Sequence, residues 1–137
     1  MAGAEERLAL VDEGGIVAAR QRAREMARRL GFGMVDQSRI ATAVSELARN
    51  VVRYAVDGRG DVTIRDLTTT PGRTGIEIVV QDKGPGIADI EQAMRDGFTS
   101  GGGLGMGLPG TKRLMDDMQI ASKPGEGTTV TIRKWRR

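Results

Sequence analysis

Two glycine-rich stretches, Asp82-Lys-Gly-Pro-Gly86 and Gly101-Gly-Gly-Leu-Gly-Met-Gly107, indicate where this chain bends closely around a ligand. Nine of its 20 glycines fall between positions 84 and 110, which is more backbone freedom than a connecting segment requires. Glycine loses much conformational entropy on folding, so a folded domain concentrates it where the backbone turns sharply or approaches a bound group. With a predicted helix that carries Glu46 and Asn50 upstream, the two stretches predict a nucleotide site.

The composition is that of one globular domain spanning residues 1–137, with 28% charged and 39% apolar residues. No apolar run exceeds four residues, so we expect no transmembrane helix, and the N-terminus lacks the pattern of a signal peptide. The chain has no cysteine and no histidine, which excludes disulfides, thiolate or imidazole metal ligands and a phosphohistidine. A cytoplasmic protein whose acid–base chemistry depends on other side chains is expected.

The net charge of +3 and the pI near 9.8 raise the alternative of a nucleic-acid binder, which would bind duplexes in a strongly salt-dependent way. Only four aromatic residues are present, and they form no interleaved stacking platform. We therefore expect neither a nucleic-acid nor a membrane partner. The basic residues cluster on the first predicted helix and at the C-terminus: Arg20, Arg22, Arg24, Arg28, Arg29, Lys134, Arg136 and Arg137.

Hydrophobic periodicity predicts five strands and four helices in the order β, α, α, β, β, α, α, β, β. Strands are expected at 8–11, 61–67, 76–81, 118–122 and 128–134. Helices are expected at 16–30, 36–55, 88–96 and 108–115, with a turn at Gly14-Gly15 and Asp36 as an N-cap. Two hairpins argue against a parallel doubly wound fold. The class we expect is an α/β (α+β) two-layer sandwich with a mixed, largely antiparallel sheet and helices on one face.

Two well-known glycine-rich motifs, the dinucleotide-binding pattern and the P-loop, are matched only in part. Gly105-Met-Gly-Leu-Pro-Gly110 matches the dinucleotide pattern GxGxxG, but no strand precedes it and no acidic residue follows at the distance needed to hold a ribose. The same glycines have P-loop spacing, yet Thr111-Lys112 reverses the required order of lysine and hydroxyl. Glycine spacing alone therefore does not define the site.

Glu46 and Asn50 share one side of the second helix, about 40° apart around its axis and ~6 Å apart along it. The apolar stripe on the other side consists of Ile40, Val44, Leu47 and Val51. An amide oxygen such as that of Asn50 suits Mg²⁺, which bridges phosphate oxygens. Glu46 can accept a proton from an attacking hydroxyl or orient that hydroxyl. The pair therefore indicates phosphoryl transfer, although such a pair alone is also common on ordinary polar helix surfaces.

Asp82 stands where an apolar strand ends and a turn begins. Its carboxylate accepts hydrogen bonds, so it can recognise the exocyclic amine of adenine, whereas guanine presents a carbonyl oxygen at that position. Gly84 and Gly86 let the backbone turn tightly beneath the base. A plain turn-forming aspartate is the simpler alternative.

The segment from Gly101 to Gly107 can surround phosphates with backbone N–H groups and leads into a helix whose N-terminus favours anions. Thr99 and Ser100 add hydroxyl donors directly before it. A mobile surface loop is the alternative, and nucleotide binding could order such a loop. The residues that we assign to phosphate contact are Thr99, Ser100, Gly101, Gly102, Gly103, Leu104, Gly105, Met106 and Gly107.

These three motifs, Glu46-x-x-x-Asn50, Asp82-x-Gly-x-Gly86 and Gly101–Gly107, resemble the N, G1 and G2 boxes of the GHKL ATPase/kinase superfamily. The resemblance implies a Bergerat ATP-binding fold over 1–137, with ATP and Mg²⁺ as cofactors. It further implies that Glu46 is the catalytic carboxylate, that Asn50 holds Mg²⁺, and that Asp82 selects adenine. The start of the last strand resembles the family's closing strand, and from it we assign Thr129 to the nucleotide.

A narrower similarity extends over nearly the whole chain, to the RsbT-type switch serine/threonine kinases, which are anti-sigma regulatory kinases of the bacterial stressosome. It is carried by Asp36-Gln-x-Arg-Ile-x-Thr-Ala-Val-Ser-Glu-Leu-Ala-Arg-Asn50, Asp96-Gly-Phe-Thr-Ser100, Gly105–Asp116 and Lys134-Trp135. The similarity implies phosphorylation of STAS-domain scaffold or antagonist proteins, and activation of a PP2C-type phosphatase by the released kinase. An ATP-dependent anti-sigma factor that sequesters a sigma factor is the alternative.

Overall fold

The computed structural model describes residues 4–54, 59–68, 72–82, 107–123 and 127–136. The helices in these ranges are α1 (Glu13–Arg29), α2 (Met34–Tyr54) and α3 (Gly107–Leu114). The strands are β1 (Glu5–Leu10), β2 (Gly60–Asp66), β3 (Gly75–Asp82), β4 (Asp117–Lys123) and β5 (Gly127–Trp135). The described elements follow the expected order, and the helix expected at 88–96 lies outside the described residues.

The strands form one sheet in the order β1-β2-β3-β5-β4, and every described pairing is antiparallel. The alternation of apolar residues sets the register, because a slip of one residue would turn each buried side chain to the opposite face. One row of the helix-covered face crosses all five strands: Leu8, Val62, Val80, Val130 and Ile120. The predicted two-layer class with a largely antiparallel sheet is confirmed.

The hydrophobic core lies between this face of the sheet and the helices. The predicted stripe of α2 is fully buried, with Ile40, Val44, Leu47 and Val51 all at or below 2% exposure. The apolar face of α1 is buried beside it, and α1 and α2 pack against each other. This face consists of Ile16, Ala19, Ala23, Met26 and Ala27. Among the described helices, none combines the length and apolar character that a membrane span needs.

Helix α1 starts earlier than the sequence pattern predicts, because Asp12 is its N-cap. The Asp12 carboxylate accepts a hydrogen bond from the Gly15 amide at 3.1 Å, which satisfies one of the free N–H groups of the first turn. The prediction of a turn at Gly14-Gly15 is therefore wrong: both glycines lie in the first turn of the helix. Position 15 favours glycine, because a Cβ there would lie 3.0 Å from the carbonyl oxygen of Ala9.

Helix α1 ends at Arg29, within one residue of the predicted end, and Gly31 terminates it. Gly31 has a φ of 87°, its amide donates to the Arg28 carbonyl at 3.0 Å, and the Phe32 amide donates to the Ala27 carbonyl at 3.0 Å. This pair of bonds is a Schellman motif, which satisfies carbonyls that the helix end leaves free. Phe32 is buried as its apolar anchor, so the chain turns back into α2 at a fixed angle.

Helix α2 begins two residues before the expected cap. The Gln37 amide already donates to the Gly33 carbonyl at 2.9 Å, so Asp36 lies inside the first turn and is not the N-cap. Its carboxylate instead accepts from Arg39 at 3.2 Å and lies 3.8 Å from the Lys134 ammonium. An acidic residue in this turn still favours the helix, because it faces the positive end of the helix dipole.

The sheet face that the helices do not cover carries a row of alternating charge across all five strands, formed by Glu5, Arg65, Glu77, Arg133 and Asp117. Adjacent members are ion-paired at 2.7–3.1 Å. Hydrogen bonding to the central Glu77, which is 6% exposed, raises the pKa of Arg133 above its ordinary value. Arg65 and Arg133 neutralise the charge of the Glu77 carboxylate and also cover it from water.

The C-terminal half of α2 lies directly over one end of the sheet, at Gly60. A Cβ on Gly60 would lie 2.8 Å from Val51 Cγ1 and would also collide with the carbonyl oxygen of Gln81. Backbone and helix therefore approach each other as closely as a glycine allows. This contact fixes the distance between α2 and the end of β3.

We expect Gly60→Ala to lower the free energy of unfolding by about 2 kcal/mol, because the added methyl overpacks the contact between α2 and the sheet. Gly33→Ala is the control: a Cβ there meets nothing within 4 Å, so only the lower preference of alanine for the N-cap position remains, and the effect stays below about 1 kcal/mol. Urea unfolding followed by circular dichroism measures both. Equal stability of the two variants would show that the contact at Gly60 is looser than described.

Candidate functional site

The candidate site begins at the last residue of β3. Asp82 pairs with Thr128 of β5 on one side and with Gly60 of β2 on the other. Strand alternation turns the Asp82 side chain to the helix-covered face, in step with the buried Val80 and Ile78. A carboxylate thus stands at the edge of the apolar core, under the C-terminal half of α2.

A backbone hydrogen bond orients the Asp82 carboxylate. The amide of Thr128 donates to Asp82 Oδ1 at 3.2 Å, so the strand that closes the sheet also positions the acid at its end. An ionised carboxylate has two acceptor oxygens with several lone pairs, so it can accept hydrogen bonds from more than one donor. The side chain is half-buried, which strengthens any hydrogen bond that it accepts from a ligand.

Glu46 is held by its neighbour on α2. Arg49 Nη1 lies 3.1 Å from Glu46 Oε1, and the two side chains are 32% and 16% exposed. A carboxylate with so little exposure requires a partner or a hydrogen bond, and Arg49 supplies both. The structure thereby keeps Glu46 partly withdrawn from water on the helix that overlies the sheet.

Asn50 is one turn further along α2, directly before Val51, which touches the sheet at Gly60. Its side chain is half-buried and makes no hydrogen bond to another residue within the described ranges. A half-buried amide with unused donors and an unused oxygen suits a polar ligand or a hydrated cation. Asn50 and Asp82 thus belong to the same end of the molecule, as the sequence predicts.

Gly107, the last residue of the predicted phosphate segment, is the first residue of α3. Its φ of 68° is a conformation that glycine adopts without strain, and its carbonyl accepts a hydrogen bond from Thr111 Oγ1 at 3.0 Å. Thr111 is only 1% exposed, and α3 packs against α2. At the other end of α3, the Lys134 ammonium donates to the Leu114 carbonyl at 2.9 Å. The helix is therefore packed against α2 and held at its C-terminal end by Lys134, and the N–H groups at a helix N-terminus favour anions.

The structure does not bring Thr129 next to Asp82. Thr129 pairs with Gln81 and Ala121, so its side chain lies on the face of the sheet that the helices leave uncovered. Thr128 is the threonine on the Asp82 side. The register with the buried Val130 and Ile132 decides between the two, and that parity is a signal in the sequence that the assignment of Thr129 overlooked.

Most of the predicted glycine-rich residues lie outside the described residues, and their assignment to base and phosphate contact stays a prediction. They are Gly84, Gly86, Thr99, Ser100, Gly101, Gly102, Gly103, Leu104, Gly105 and Met106. The candidate residues that the structure describes are Asp82 on the sheet, with Thr128 as its neighbour, Glu46 and Asn50 on α2, and Gly107 at the start of α3.

These residues fit a nucleotide better than a protein-bound metal. A half-buried acceptor, an unused amide and a helix N-terminus offer complementary groups for a base amine and for phosphate oxygens. In the described ranges, no three acidic residues converge into a cluster that could hold a cation. Mg²⁺ in proteins commonly has only one or two protein ligands, and phosphate and water complete its coordination shell. A single protein ligand, Asn50, is consistent with this coordination.

Similarity to known proteins identifies the family to which the chain belongs. Residues 11–134 match the histidine kinase-like ATPase domain. The chain belongs to the histidine kinase-like ATPase family. Within this family it is 52% identical over 128 residues to the serine/threonine-protein kinase RsbT of Bacillus subtilis, which covers 93% of this chain and 94% of that protein. The predicted resemblance to RsbT-type kinases is thereby confirmed.

More distant members of the family include anti-sigma factors. The anti-sigma F factor of Caldanaerobacter subterraneus subsp. tengcongensis is 37% identical over 100 residues, which are 70% of this chain and 68% of that protein. The corresponding protein of Clostridium beijerinckii is 36% identical over 98 residues, 69% of this chain and 68% of that protein. The similarity to these relatives is the basis for the second predicted role, binding of a sigma factor.

Solved structures of the family share the fold. The RsbU and RsbW domains of a Mycobacterium tuberculosis protein superpose with a TM-score of 0.63 at 21% identity, covering 97% of this chain and 32% of that chain. The mycobacterial sensor histidine kinase MprB superposes with a TM-score of 0.56 at 23% identity, covering 98% and 99%. The chain therefore spans about a third of the first protein and nearly all of the second, and the histidine kinase-like fold is established.

If Asp82 receives the base, Asp82→Asn should weaken ADP binding by one to two orders of magnitude, because an amide replaces a charged acceptor. Asparagine keeps an oxygen for the Thr128 amide, so the strand pairing survives. Asp61→Asn is the matched control: Asp61 lies on the opposite face of the sheet, where it pairs with Arg7 at 3.2 Å. Isothermal titration calorimetry with ADP measures both, and equal losses of affinity would refute the placement of the base at Asp82.

Proposed function

We propose that the chain is an ATP-dependent protein serine/threonine kinase of the partner-switching type. Its substrates would be STAS-domain scaffold or antagonist proteins, and the released kinase would bind and activate a PP2C-type phosphatase in the cytoplasm. The observation that carries the proposal is the 52% identity to RsbT. The contact between Val51 and Gly60 supports it, because it joins the part of α2 that carries Asn50 to the strand that pairs with Asp82. That identity extends over nearly all of both proteins.

Each described residue has a distinct task in this proposal. Asp82 accepts the exocyclic amine of adenine, and the Thr128 amide holds its carboxylate in place. The N-terminus of α3, opened by Gly107, faces phosphate oxygens with its free N–H groups. The Gly101–Gly107 segment would complete the phosphate contacts, with the hydroxyls of Thr99 and Ser100.

The proposed chemistry is a direct transfer of the γ-phosphoryl group. The oxygen of the acceptor serine or threonine forms a bond to the γ-phosphorus while the bond to the bridging oxygen breaks, and ADP leaves with that electron pair. The hydroxyl proton passes to Glu46, which is the acidic residue of α2 beyond its first turn. Positioning and charge compensation supply most of the rate in such transfers.

Arg49 prepares Glu46 for this task. The ion pair at 3.1 Å fixes the carboxylate on its helix and compensates its charge until the acceptor hydroxyl arrives. Because Arg49 is one-third exposed, it can follow its partner or turn to a phosphate oxygen at little cost. A neutral histidine, the commonest general base, is absent from the chain.

Mg²⁺ would supply charge compensation between the phosphate oxygens, and Asn50 would be its protein ligand. The half-buried amide without a described partner fits that role. We assign no further protein ligand, since the described acidic residues form no cluster around Asn50.

An ATP-dependent anti-sigma factor is the second candidate, and the identity of 36–37% to two anti-sigma F factors favours it. In that case the same nucleotide site would regulate the capture of a sigma factor. We do not propose a nucleic-acid partner. Arg22, Arg28 and Arg29 of the basic α1 are engaged in ion pairs with Glu6 and Glu25, which reduces the charge available to a phosphate backbone.

We expect Glu46→Gln to reduce phosphoryl transfer to a STAS-domain protein at least about 100-fold while ADP affinity stays within twofold, because only the proton acceptor is lost. Glu25→Gln is the matched control, a glutamate on α1 that also pairs with an arginine. Transfer from radiolabelled ATP, followed by mapping of the labelled residue, measures the effect. Transfer at the wild-type rate by Glu46→Gln would exclude Glu46 as the base.

Asn50→Ala should raise the Mg²⁺ concentration needed for half-maximal transfer roughly tenfold, because the cation loses its protein ligand. Asn50→Asp retains an oxygen ligand and should need no more Mg²⁺ than the wild type. Titration of the kinase assay with Mg²⁺ at saturating ATP distinguishes the two. An unchanged Mg²⁺ requirement in Asn50→Ala would remove Asn50 from the metal site.

Affinity capture from bacterial lysate separates the two candidate functions. Recovery of a STAS-domain protein or a PP2C-type phosphatase supports the kinase, whereas recovery of a sigma factor supports the anti-sigma factor. The proteins captured by the wild type are compared with those captured by Asp82→Asn. Partners whose binding depends on nucleotide are those that the variant fails to capture.

A further inference from the structure

Lys134 is a buried cation to which the proposed function gives no role. The stretch Lys134-Trp135 is one of those that carry the resemblance to RsbT-type kinases, and in the sequence Lys134 belongs to a basic C-terminal cluster. In the structure, however, Lys134 lies on the helix-covered face of β5, in step with the buried Ile132, and is only 7% exposed. A lysine that water hardly reaches acts on groups within the fold.

The Lys134 ammonium joins the C-terminal end of α3 to the N-terminal turn of α2. It donates to the carbonyl of Leu114, the last residue of α3, at 2.9 Å. It also lies 3.8 Å from the carboxylate of Asp36, in the first turn of α2. Both charges suit the helix dipoles, because a cation is favoured at a helix C-terminus and an acid at an N-terminus. One side chain thus connects two helices that pack against each other.

Folding alone gives little reason to bury this charge. Removing an ammonium group from water is costly, and buried ion pairs can often be replaced by apolar side chains without loss of stability. Asp36 would keep a nearer partner, because Arg39 Nη1 lies 3.2 Å from the same carboxylate oxygen. A methionine could fill the space of Lys134 beside the buried Ile76, its neighbour on β3. The bond to the end of α3 is the contact that a methionine could not replace.

We propose that Lys134 is a positioning residue for the phosphate end of the nucleotide site and acts on it through α3. Gly107, the first residue of α3, is the described end of the segment assigned to phosphate contact. A rise of 1.5 Å per residue puts Leu114 about 10 Å along the axis from Gly107, so the ammonium at the Leu114 carbonyl is too far away to bind the phosphates itself. The inference rests on the proposed function, because it requires a nucleotide whose phosphates lie near the start of α3.

Loss of the Lys134 ammonium would act selectively on the phosphates. The last turn of α3 would lose a donor for its free carbonyl, and α3 could then shift along α2. Such a shift would weaken contacts near Gly107. Contacts to the base are assigned to the end of β3 and would stay in place. Lys134 therefore favours nucleotides with a longer phosphate chain.

The test is the ratio of the dissociation constants of AMP and ADP, measured by isothermal titration calorimetry in the presence of Mg²⁺. The two nucleotides share the base, the ribose and the first phosphate, so the ratio isolates the contribution of the second phosphate. In Lys134→Met we expect the AMP/ADP ratio to fall about fivefold, because ADP loses more affinity than AMP. A partial loss of folded protein would lower both affinities together and leave the ratio unchanged.

Arg39→Met is the matched control, because the same substitution removes the other cation that faces Asp36. Arg39 is exposed and pairs with Asp36 on its own helix, so its loss should leave the AMP/ADP ratio within about twofold of the wild type. An equal fall in both variants, or an unchanged ratio in Lys134→Met, would overturn the proposal. If urea unfolding shows that Lys134→Met is not folded, Lys134→Leu replaces it, with the same fall expected.

Hydrogen exchange shows whether Lys134 acts through α3. In the protein without nucleotide, the backbone amides of α3 should exchange faster in Lys134→Met than in the wild type, because the helix is less firmly held. The amides of α1 should exchange at the wild-type rate. A fall in the AMP/ADP ratio without faster exchange in α3 would overturn the proposal.

The wild type separates failure of this inference from failure of the proposed function. Wild-type protein that binds neither ADP nor AMP would refute the nucleotide site and the inference together. Wild-type protein that binds ADP and AMP equally well would refute the inference alone, because the second phosphate would then contribute nothing that Lys134 could support.

Discussion

The pairing of the end of β3 with the start of β5 is the constraint on which the site depends. It places Asp82 opposite Thr128, and the Thr128 amide donates to the Asp82 carboxylate. The same register aligns Val80 with Val130 and Ile78 with Ile132 in the core, so the burial of four apolar side chains holds the acid in position. A slip of one residue would expose those side chains and turn Asp82 to the other face. Core packing and site geometry therefore share one cause.

Helix α2 depends on the same end of the sheet. Val51 fits against Gly60, the residue that pairs with Asp82 on the side opposite to Thr128. Every larger residue at position 60 would push α2 outward, together with Glu46 and Asn50. In the proposed function, the sheet would recognise the base, α2 would provide the groups for transfer, and the N-terminus of α3 would contact phosphate. The uncovered face of the sheet is neutralised by its own ion-paired row and contributes no group to this site.

Much of this could be predicted from the sequence, because it depends on periodicity and local chemistry. The stripe of Ile40, Val44 and Leu47, the end of β3 at Asp82 and the two hairpins follow from patterns within single elements. Asp12 was missed as a cap because the two glycines after it imitate a turn, although their first-turn amides are what the cap satisfies. The face on which Thr128 lies could be predicted from its alternation with Val130 and Ile132, but its position opposite Asp82 could not, since that depends on the register between two strands that are distant in sequence.

The most direct measurement is a crystal structure of the protein with ADP and Mg²⁺. The account predicts that the exocyclic amine of adenine lies within hydrogen-bond distance of the Asp82 carboxylate, about 2.7–3.2 Å. It also predicts that the Asn50 amide oxygen faces the phosphates or their cation, and that the Thr128 hydroxyl lies on the base side of the sheet. Nucleotide bound with its base away from Asp82, or against the uncovered face of the sheet, would contradict it.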